Sequence, residues 1–325
     1  MTTHVPALKF NAGLLFTGLS GLLALAADSP FAVESTRQGA EWIVNYKQQR
    51  LLVYAFDPLR FKPCVKELAP LGGTNILRDA PADHLHHHAL MFAVAVNGLN
   101  FWEEISGSGV QKPVQSPPPE IGTSPNGLPQ VTIRQTLHWL APQDAFLPDA
   151  PKHALLIEQR MLVLTVNERT SEVALHWKSA FEVGGKTNVV ALSATGHPYY
   201  GLGMRFLQEL DPPARHFTAE GPLELAGRKQ DLSPHTWSAV AFDRPGAPAT
   251  IALFDHPSNT RSPAVFFTMK QPFAYVSATQ ALDKEPLVYH HGDQWQVNYL
   301  VTIYPGLKSP DALTRRGQQW ENSQP

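Results

Sequence analysis

The chain has 325 residues and a formal net charge of −2, with 43% hydrophobic and 17% charged residues. This is a globular composition with ample apolar material for a large core, which excludes a disordered chain. No long basic run is present, so the counterion release that drives nucleic-acid binding has no source and DNA and RNA are excluded as partners.

The first segment, "HVPALKFNAGLLFTGLSGLLALAADSP", sets Lys9 before an apolar stretch and ends on the small residues Ala24, Ala26 and Ala27. That layout predicts a secretory signal over residues 1–27 and an exported mature domain over 28–325, periplasmic or extracellular. The alternative, a retained membrane anchor, is weakened by Gly13, Thr17, Gly18, Ser20 and Gly21 inside the run. No integral membrane span is expected once the signal is cleaved. Cys64 is the only cysteine, so no intramolecular disulfide can form.

The mature chain then alternates short apolar runs with turn residues, the pattern of an all-β protein. "EWIVNYKQQRLLVYAF" predicts two strands joined through Lys47 to Gln49, and "ALMFAVAVNGLNFWEE" predicts two strands about an Asn97-Gly98 turn. Between "NFWEE" and "QVTIRQTLHWL" lies "QKPVQSPPPEIGTSPNGLPQ", read as a long surface loop or a flap over the site. Further strands are expected at "HALLIEQRMLVLTV", "SEVALHWKSAFEV", "HTWSAVAF", "ATIALFDHP", "AVFFTMKQPFAYVSATQ", "PLVYHH" and "WQVNYLVTIYPG". One helix closes the chain at "SPDALTRRGQQW", where Ser309 can cap and Pro310 suits the first helical position. More than a dozen strands exceed one immunoglobulin-sized sandwich, and the expectation is one large antiparallel β-sandwich of the supersandwich type with a short C-terminal helix.

Chemistry concentrates in "DAPADHLHHHALMF". On an extended strand His84, His86 and His88 share one face and His87 points away; such a set can converge on a divalent transition metal, with Asp83 as a further ligand or an orienting partner. Pro81 and the dense polar content fit a loop equally well, and in a loop the alternation fails. Downstream, "NGLNFWEE" sets Trp102, a stacking face for a sugar ring, beside Glu103 and Glu104, carboxylates suited to acid or base work. Continuing the hairpin from Val96 opposite Leu99 brings Trp102 to Ala93, Glu104 to Met91 and Gly107 to His88, a few residues beyond the glutamates; one of the two carboxylates is expected in the histidine cleft from a neighbouring strand position rather than directly opposite. "GHPYYGLGMRF", with His197, Tyr199 and Arg205, and "FDHPSNTRSP", with Asp255, His256 and Asn259, place polar and ring-bearing groups at strand ends, where loops carry function. Asp255 to Asn259 reads alternatively as a capped turn. His138 and His176 precede tryptophans within strands and are read as structural, as is the His290-His291 turn.

The run "FKPCVKELAPLGGTNILRDAPADHLHHHALMFAVAVNGLNFWEE", with "GHPYYGLGMRF" and "FDHPSNTRSP", resembles the exported bacterial proteins grouped as PmoA-like under a "methane oxygenase" label. The resemblance runs from about Tyr54 to Tyr304; the residue after the histidines, often glycine in such sequences, is Ala89 here. A membrane methane monooxygenase needs repeated apolar runs of about 20 residues. None follows residue 27, so that activity is rejected. A supersandwich with these side chains at one end is similar to the galactose-mutarotase-like group, by analogy of fold. The resulting expectation is an exported carbohydrate-active protein, an epimerase-, lyase- or hydrolase-like enzyme whose partner is a small saccharide or glycan. His84, His86, His88, Glu103 and Glu104 would act on it, and Trp102, His197, Tyr199, Arg205, Asp255, His256 and Asn259 would bind it. The competing expectations are a non-catalytic carbohydrate-binding module and a metal-dependent oxidoreductase.

Overall fold

Two antiparallel sheets carry most of the chain in the computed structural model, which describes residues 29–36, 39–147, 149–225 and 230–322. The expected signal segment lies outside these residues. The nine-stranded sheet runs in the order Phe31–Ser35, Glu41–Tyr46, Gln49–Ala55, Cys64–Leu68, Leu90–Ala93, Gly201–Arg205, Tyr275–Thr279, Val265–Met269 and Gln230–Pro234. The ten-stranded sheet is built around Leu156–Asn167, Glu172–Val183 and Gln294–Pro305, and a four-stranded sheet joins Leu287–His290, Val189–Ser193, Ala95–Val96 and Leu99–Asn100. The expected all-β sandwich is therefore present.

Period-2 alternation decides what is buried. Leu162 pairs with Trp177 and Leu164 with Leu175, and all four enter the core between the sheets. The residues between them, Val163, Thr165, Ala174 and His176, consequently face out. On the other sheet Leu202 and Met204 lie beside Phe92 and Leu90 in the same core, which turns Gly201, Gly203 and Arg205 to the outer face. The helix Pro310–Glu321 covers part of the ten-stranded sheet's outer face: the Ser309 hydroxyl accepts from the amide of Ala312 at 3.3 Å, and Leu313 and Trp320 pack with Trp237 and Phe254.

Two expectations are corrected. The proline-rich segment is not a free loop, because Val110–Gln115 and Glu120–Thr123 both pair with Pro129–Leu140. They add to its free edge, the position in a sheet where proline's missing N–H is tolerated. The Asn97-Gly98 hairpin has the expected register at Val96 to Leu99 and Ala95 to Asn100, then stops. Asn100 Oδ1 accepts from the amides of Trp102 (2.7 Å) and Glu103 (3.1 Å), a side-chain turn that competes with the ladder. Ala93 and Met91 pair instead with Gly201 and Gly203.

Inside the sandwich lies a fully buried ion pair. Arg160 Nε donates to Glu158 at 2.7 Å, and Glu158 also accepts from Trp139 Nε1 (2.8 Å) and Ser179 Oγ (2.6 Å). Arg160 Nη1 reaches across to the carbonyl of Pro63 (3.3 Å) and the Tyr54 hydroxyl (3.4 Å) on the nine-stranded side. Removing one member leaves an uncompensated buried charge. Arg160→Met is therefore expected to cost about 3–5 kcal/mol in urea denaturation, and Glu158→Gln combined with Arg160→Met less than that single change.

Candidate functional site

The histidine segment folds as a loop. The His84 amide donates to the Pro81 carbonyl (2.9 Å) and the His87 amide to that of His84 (3.0 Å), giving two successive turns closed by a bridge between Asp79 and His88. Turns replace strand alternation with contacts three residues apart, so His84 and His87 stack at 4.7 Å between ring centroids while His86 lies 4.6 Å from His87. Ala89, where the chain leaves the loop, has φ +48°, in the left-handed region that favours glycine.

His84, His86 and His87 line a cavity of about 350 Å³ together with Glu103, Tyr199 and the rings of Phe267, Phe273 and Tyr275. Phe267 and Tyr275 come from the nine-stranded sheet, so the cavity sits on its outer face. Gly203 makes that floor possible, since a Cβ there would lie 1.9 Å from Tyr275 Oη and 3.1 Å from the Trp102 ring. Two polar atoms of the wall, His87 Nδ1 and Tyr275 Oη, are buried and make no hydrogen bond among the described residues.

His88 turns away from this cluster into a buried network. Its Nδ1 lies 2.6 Å from Asp79 and its Nε2 2.7 Å from Glu104, and carboxylates only accept, so both ring nitrogens donate. Lys62, fully buried, donates from Nζ to Glu104 and to the carbonyl of Trp102, each at 2.8 Å. Arg60 completes the network on Asp79 at 3.2 Å.

The two environments separate the histidines electrically. Burial works against a charged His88, but the bonds to Asp79 and Glu104 outweigh it and raise its pKa. The same bonds lower the two carboxylates despite their own burial, helped by Arg60 at Asp79 and Lys62 at Glu104. His86 is lowered by burial and then by the Lys62 charge. Burial, with repulsion from His86 and His84, pushes His87 down to about 2. The cavity therefore presents His86 and His87 as neutral imidazoles near pH 7, each with one donor and one acceptor nitrogen.

Other expected site residues are distributed differently. Tyr199 is on the cavity wall, and His197 stands behind Glu103, with Nε2 4.0 Å from its carboxylate and Nδ1 3.1 Å from the Tyr199 hydroxyl. Glu104 lies in the buried network. Trp102 has 0% exposure and stacks on Tyr200 at 5.1 Å, so it supports the wall and offers no face to a ligand. Arg205 is buried with its guanidinium 3.2 Å from the Phe273 ring centroid and Nη2 3.2 Å from Asp83, behind the cavity. Asp255, His256 and Asn259 do not reach it at all. Asp255 accepts from Asn259 (2.6 Å), Ser262 (2.7 Å) and the amide of Ala264 (2.9 Å), a turn clamp. His256 lies against Trp320, under the C-terminal helix. Residues missed from sequence are Lys62, Asp79, Phe273 and Tyr275. Lys62 and Cys64 lie far from the histidine run in sequence, no periodic signal links them to it, and only the fold joins them.

The expected metal set is corrected as well. His84 and His86 line the cavity while His88 points into the buried network; among the described residues, the group whose ligand atoms gather within 4.8 Å is Cys64, Asp79 and His88. That group does not fit a cation. His88 has both nitrogens committed as donors, burial raises the Cys64 thiol, and Arg60 and Lys62 already balance the two carboxylates.

A large antiparallel sandwich with a loop-built cavity on one outer face is the class this architecture defines. Residues 41–316 match a family of unknown function, DUF6807, and the chain belongs to it. No curated protein matches. Solved structures similar to this chain include the galactosidase domain of the alpha-galactosidase-sucrose kinase AgaSK (10% identity, TM-score 0.45, covering 85% of this chain and 42% of that one). The GH36 alpha-galactosidase AgaA of Geobacillus stearothermophilus gives 11% identity and TM-score 0.42, covering 78% and 39%. The alpha-galactosidase of Lactobacillus brevis gives 8% and 0.38, covering 85% and 38%. The chain thus spans about two fifths of the length of these proteins. No helix among the described residues is long and apolar enough to cross a membrane.

The raised pKa of His88 has a defined sign in stability. Its contribution is fully present below the unfolded value of about 6.5 and is lost as pH rises through the folded value. Urea midpoints of the wild type and His88→Gln are expected to differ most below about pH 6.5 and to converge as pH rises above it. A difference that is constant from pH 5 to 9 would show that His88 is not charged in the folded state.

Proposed function

We propose that this protein is an exported enzyme that binds a sugar or modified sugar in the histidine cavity and moves protons on it. The observation that carries this reading is the wall itself. Neutral imidazoles and the Glu103 carboxylate face one small space bounded also by the rings of Tyr199, Phe267, Phe273 and Tyr275 and by Gln230, Met269 and Pro272. Aromatic faces suit the apolar side of a sugar ring, and the polar groups meet its hydroxyls. Leaving His87 Nδ1 and Tyr275 Oη without partners costs about 1–3 kcal/mol each, a penalty that ligand hydroxyls would remove.

In this scheme His86, neutral at working pH, takes a proton from the ligand as general base, and Glu103 holds the adjoining hydroxyl. The buried network of His88, Asp79, Glu104 and Lys62 touches no ligand and fixes the loop geometry from behind. An epimerase-, lyase- or hydrolase-like reaction fits such a pair. A binding-only module needs the aromatics but has no use for imidazoles concentrated on the same wall, so the catalytic reading is preferred.

Calorimetry against a panel of neutral and acidic monosaccharides and disaccharides, followed by deuterium incorporation from solvent into the bound sugar, tests this. His86→Ala is expected to cut exchange by about 10²–10⁴-fold while shifting stability by about 0.5 kcal/mol or less. Because the base must be neutral and its pKa is lowered, exchange should fall only as pH drops below about 6.5. A sugar that binds and exchanges equally in His86→Ala and Glu103→Gln would refute the assignment.

The export component rests on the amino-terminal sequence. Terminal sequencing of the protein recovered outside the cytoplasm is expected to begin near Ala27 or Asp28, and an intact Met1 would overturn it.

A further inference from the structure

The outer face of the ten-stranded sheet holds a second concavity of about 880 Å³, on the opposite side of the sandwich from the histidines. Its floor is the outward-facing set Val163, Thr165, Ala174 and His176. The C-terminal helix forms one wall through Arg316, Gln319 and Trp320. The hairpin tip at Pro125, Asn126 and Leu128 also lines it, within the proline-rich segment that sequence suggested as a flap. Arg169 stands in the turn after Leu156–Asn167. Three elements distant in sequence thus converge on one groove, whose size falls in the range of about 300–1,000 Å³ typical of ligand sites.

Its charge is unbalanced. Among the described residues Glu172 is the one carboxylate on the lining, and it is already engaged, accepting from Arg316 Nε at 3.1 Å on both oxygens and from the Tyr304 hydroxyl. Arg169 is exposed and makes no ion pair among the described residues. Burial holds His176 neutral, with its pKa lowered to about 4, and its Nε2 is buried without a hydrogen-bond partner among the described residues. One guanidinium therefore remains for a ligand anion, and Arg316, bound to Glu172 through Nε, lines the same groove. Amides on Asn126, Gln319 and Asn322 provide both donors and acceptors, and Pro125, Leu128 and Val163 supply apolar surface.

We propose that this groove is a second binding site, for an acidic saccharide whose sugar units carry carboxylates. A guanidinium fork matches a carboxylate in plane, amides match hydroxyls, and the apolar surface of Pro125, Leu128 and Val163 meets the ring face. The site does not depend on the cavity reading, because no residue lines both.

Titration calorimetry with a trigalacturonate, with maltotriose as the neutral probe and inorganic phosphate as the simple anion, tests it on the wild type, Arg169→Ala, Arg316→Gln and His86→Ala. Trigalacturonate is expected to bind, to weaken at least fivefold in Arg169→Ala and on raising salt from about 0.05 to 0.5 M, and to be unaffected by His86→Ala. Arg169 is an exposed turn residue, so its variant keeps the fold; Arg316→Gln, checked by melting, should add to the loss. Absence of trigalacturonate binding, equal binding of maltotriose, complete displacement by phosphate, or loss in His86→Ala with Arg169→Ala unchanged would each overturn the proposal.

Discussion

The buried pair of Glu158 and Arg160 is the constraint on which the rest of this structure depends. A sandwich interior is a poor place for charge, and the pair is tolerated because every strong donor and acceptor on it is matched. Matching it requires groups from both sheets. Trp139 and Ser179 serve Glu158 from the ten-stranded side, while the carbonyl of Pro63 and the Tyr54 hydroxyl meet Arg160 from the other. The spacing and rotation of the sheets are thus set by hydrogen-bond geometry as well as by apolar packing, which alone is not directional.

That link extends to the site through the backbone. Pro63 is held by Arg160, and the preceding residue is Lys62, whose ammonium joins Glu104 and the carbonyl of Trp102. Glu104 holds His88, and His88 with Asp79 closes the histidine loop. An interior ion pair and a surface cavity are therefore consecutive parts of one polar chain. A network of this kind holds its geometry when every member is satisfied, and the wall positions of His84, His86 and His87 follow from it.

Within three residues the loop also divides His86, His87 and His88 between opposite electrostatic conditions. His88 is offered two carboxylates and takes the charge; His86 and His87 are offered burial and one another, and stay neutral. Like residues crowded together cannot all ionise, and between His88 and its neighbours His86 and His87 the fold assigns the proton by giving Asp79 and Glu104 to His88. The two concavities differ in the same terms: one is walled by aromatic rings and neutral imidazoles, the other edged by guanidinium and amide groups.

Strand content, the exact two-residue turn at Asn97-Gly98, the capped terminal helix and the region holding the cavity were all legible in the sequence, because alternation, turn chemistry and capping act over a few residues. The hairpin register that would carry Glu103 back towards the histidines ends at Asn100, so it is the tertiary structure that sets Glu103 beside His84, His86 and His87. What the sequence left open is whatever depends on contacts far along the chain. The histidine segment is equally compatible with a strand and a loop until the Asp79 to His88 bridge closes it. Trp102 reads as a platform until Gly203 and Tyr200 enclose it, and Asp255 reads as a ligand group until the amide of Ala264 and the Ser262 hydroxyl occupy it. Side-chain direction in a turn, and the partner that claims a buried polar group, are settled by tertiary packing, since no local periodicity encodes either.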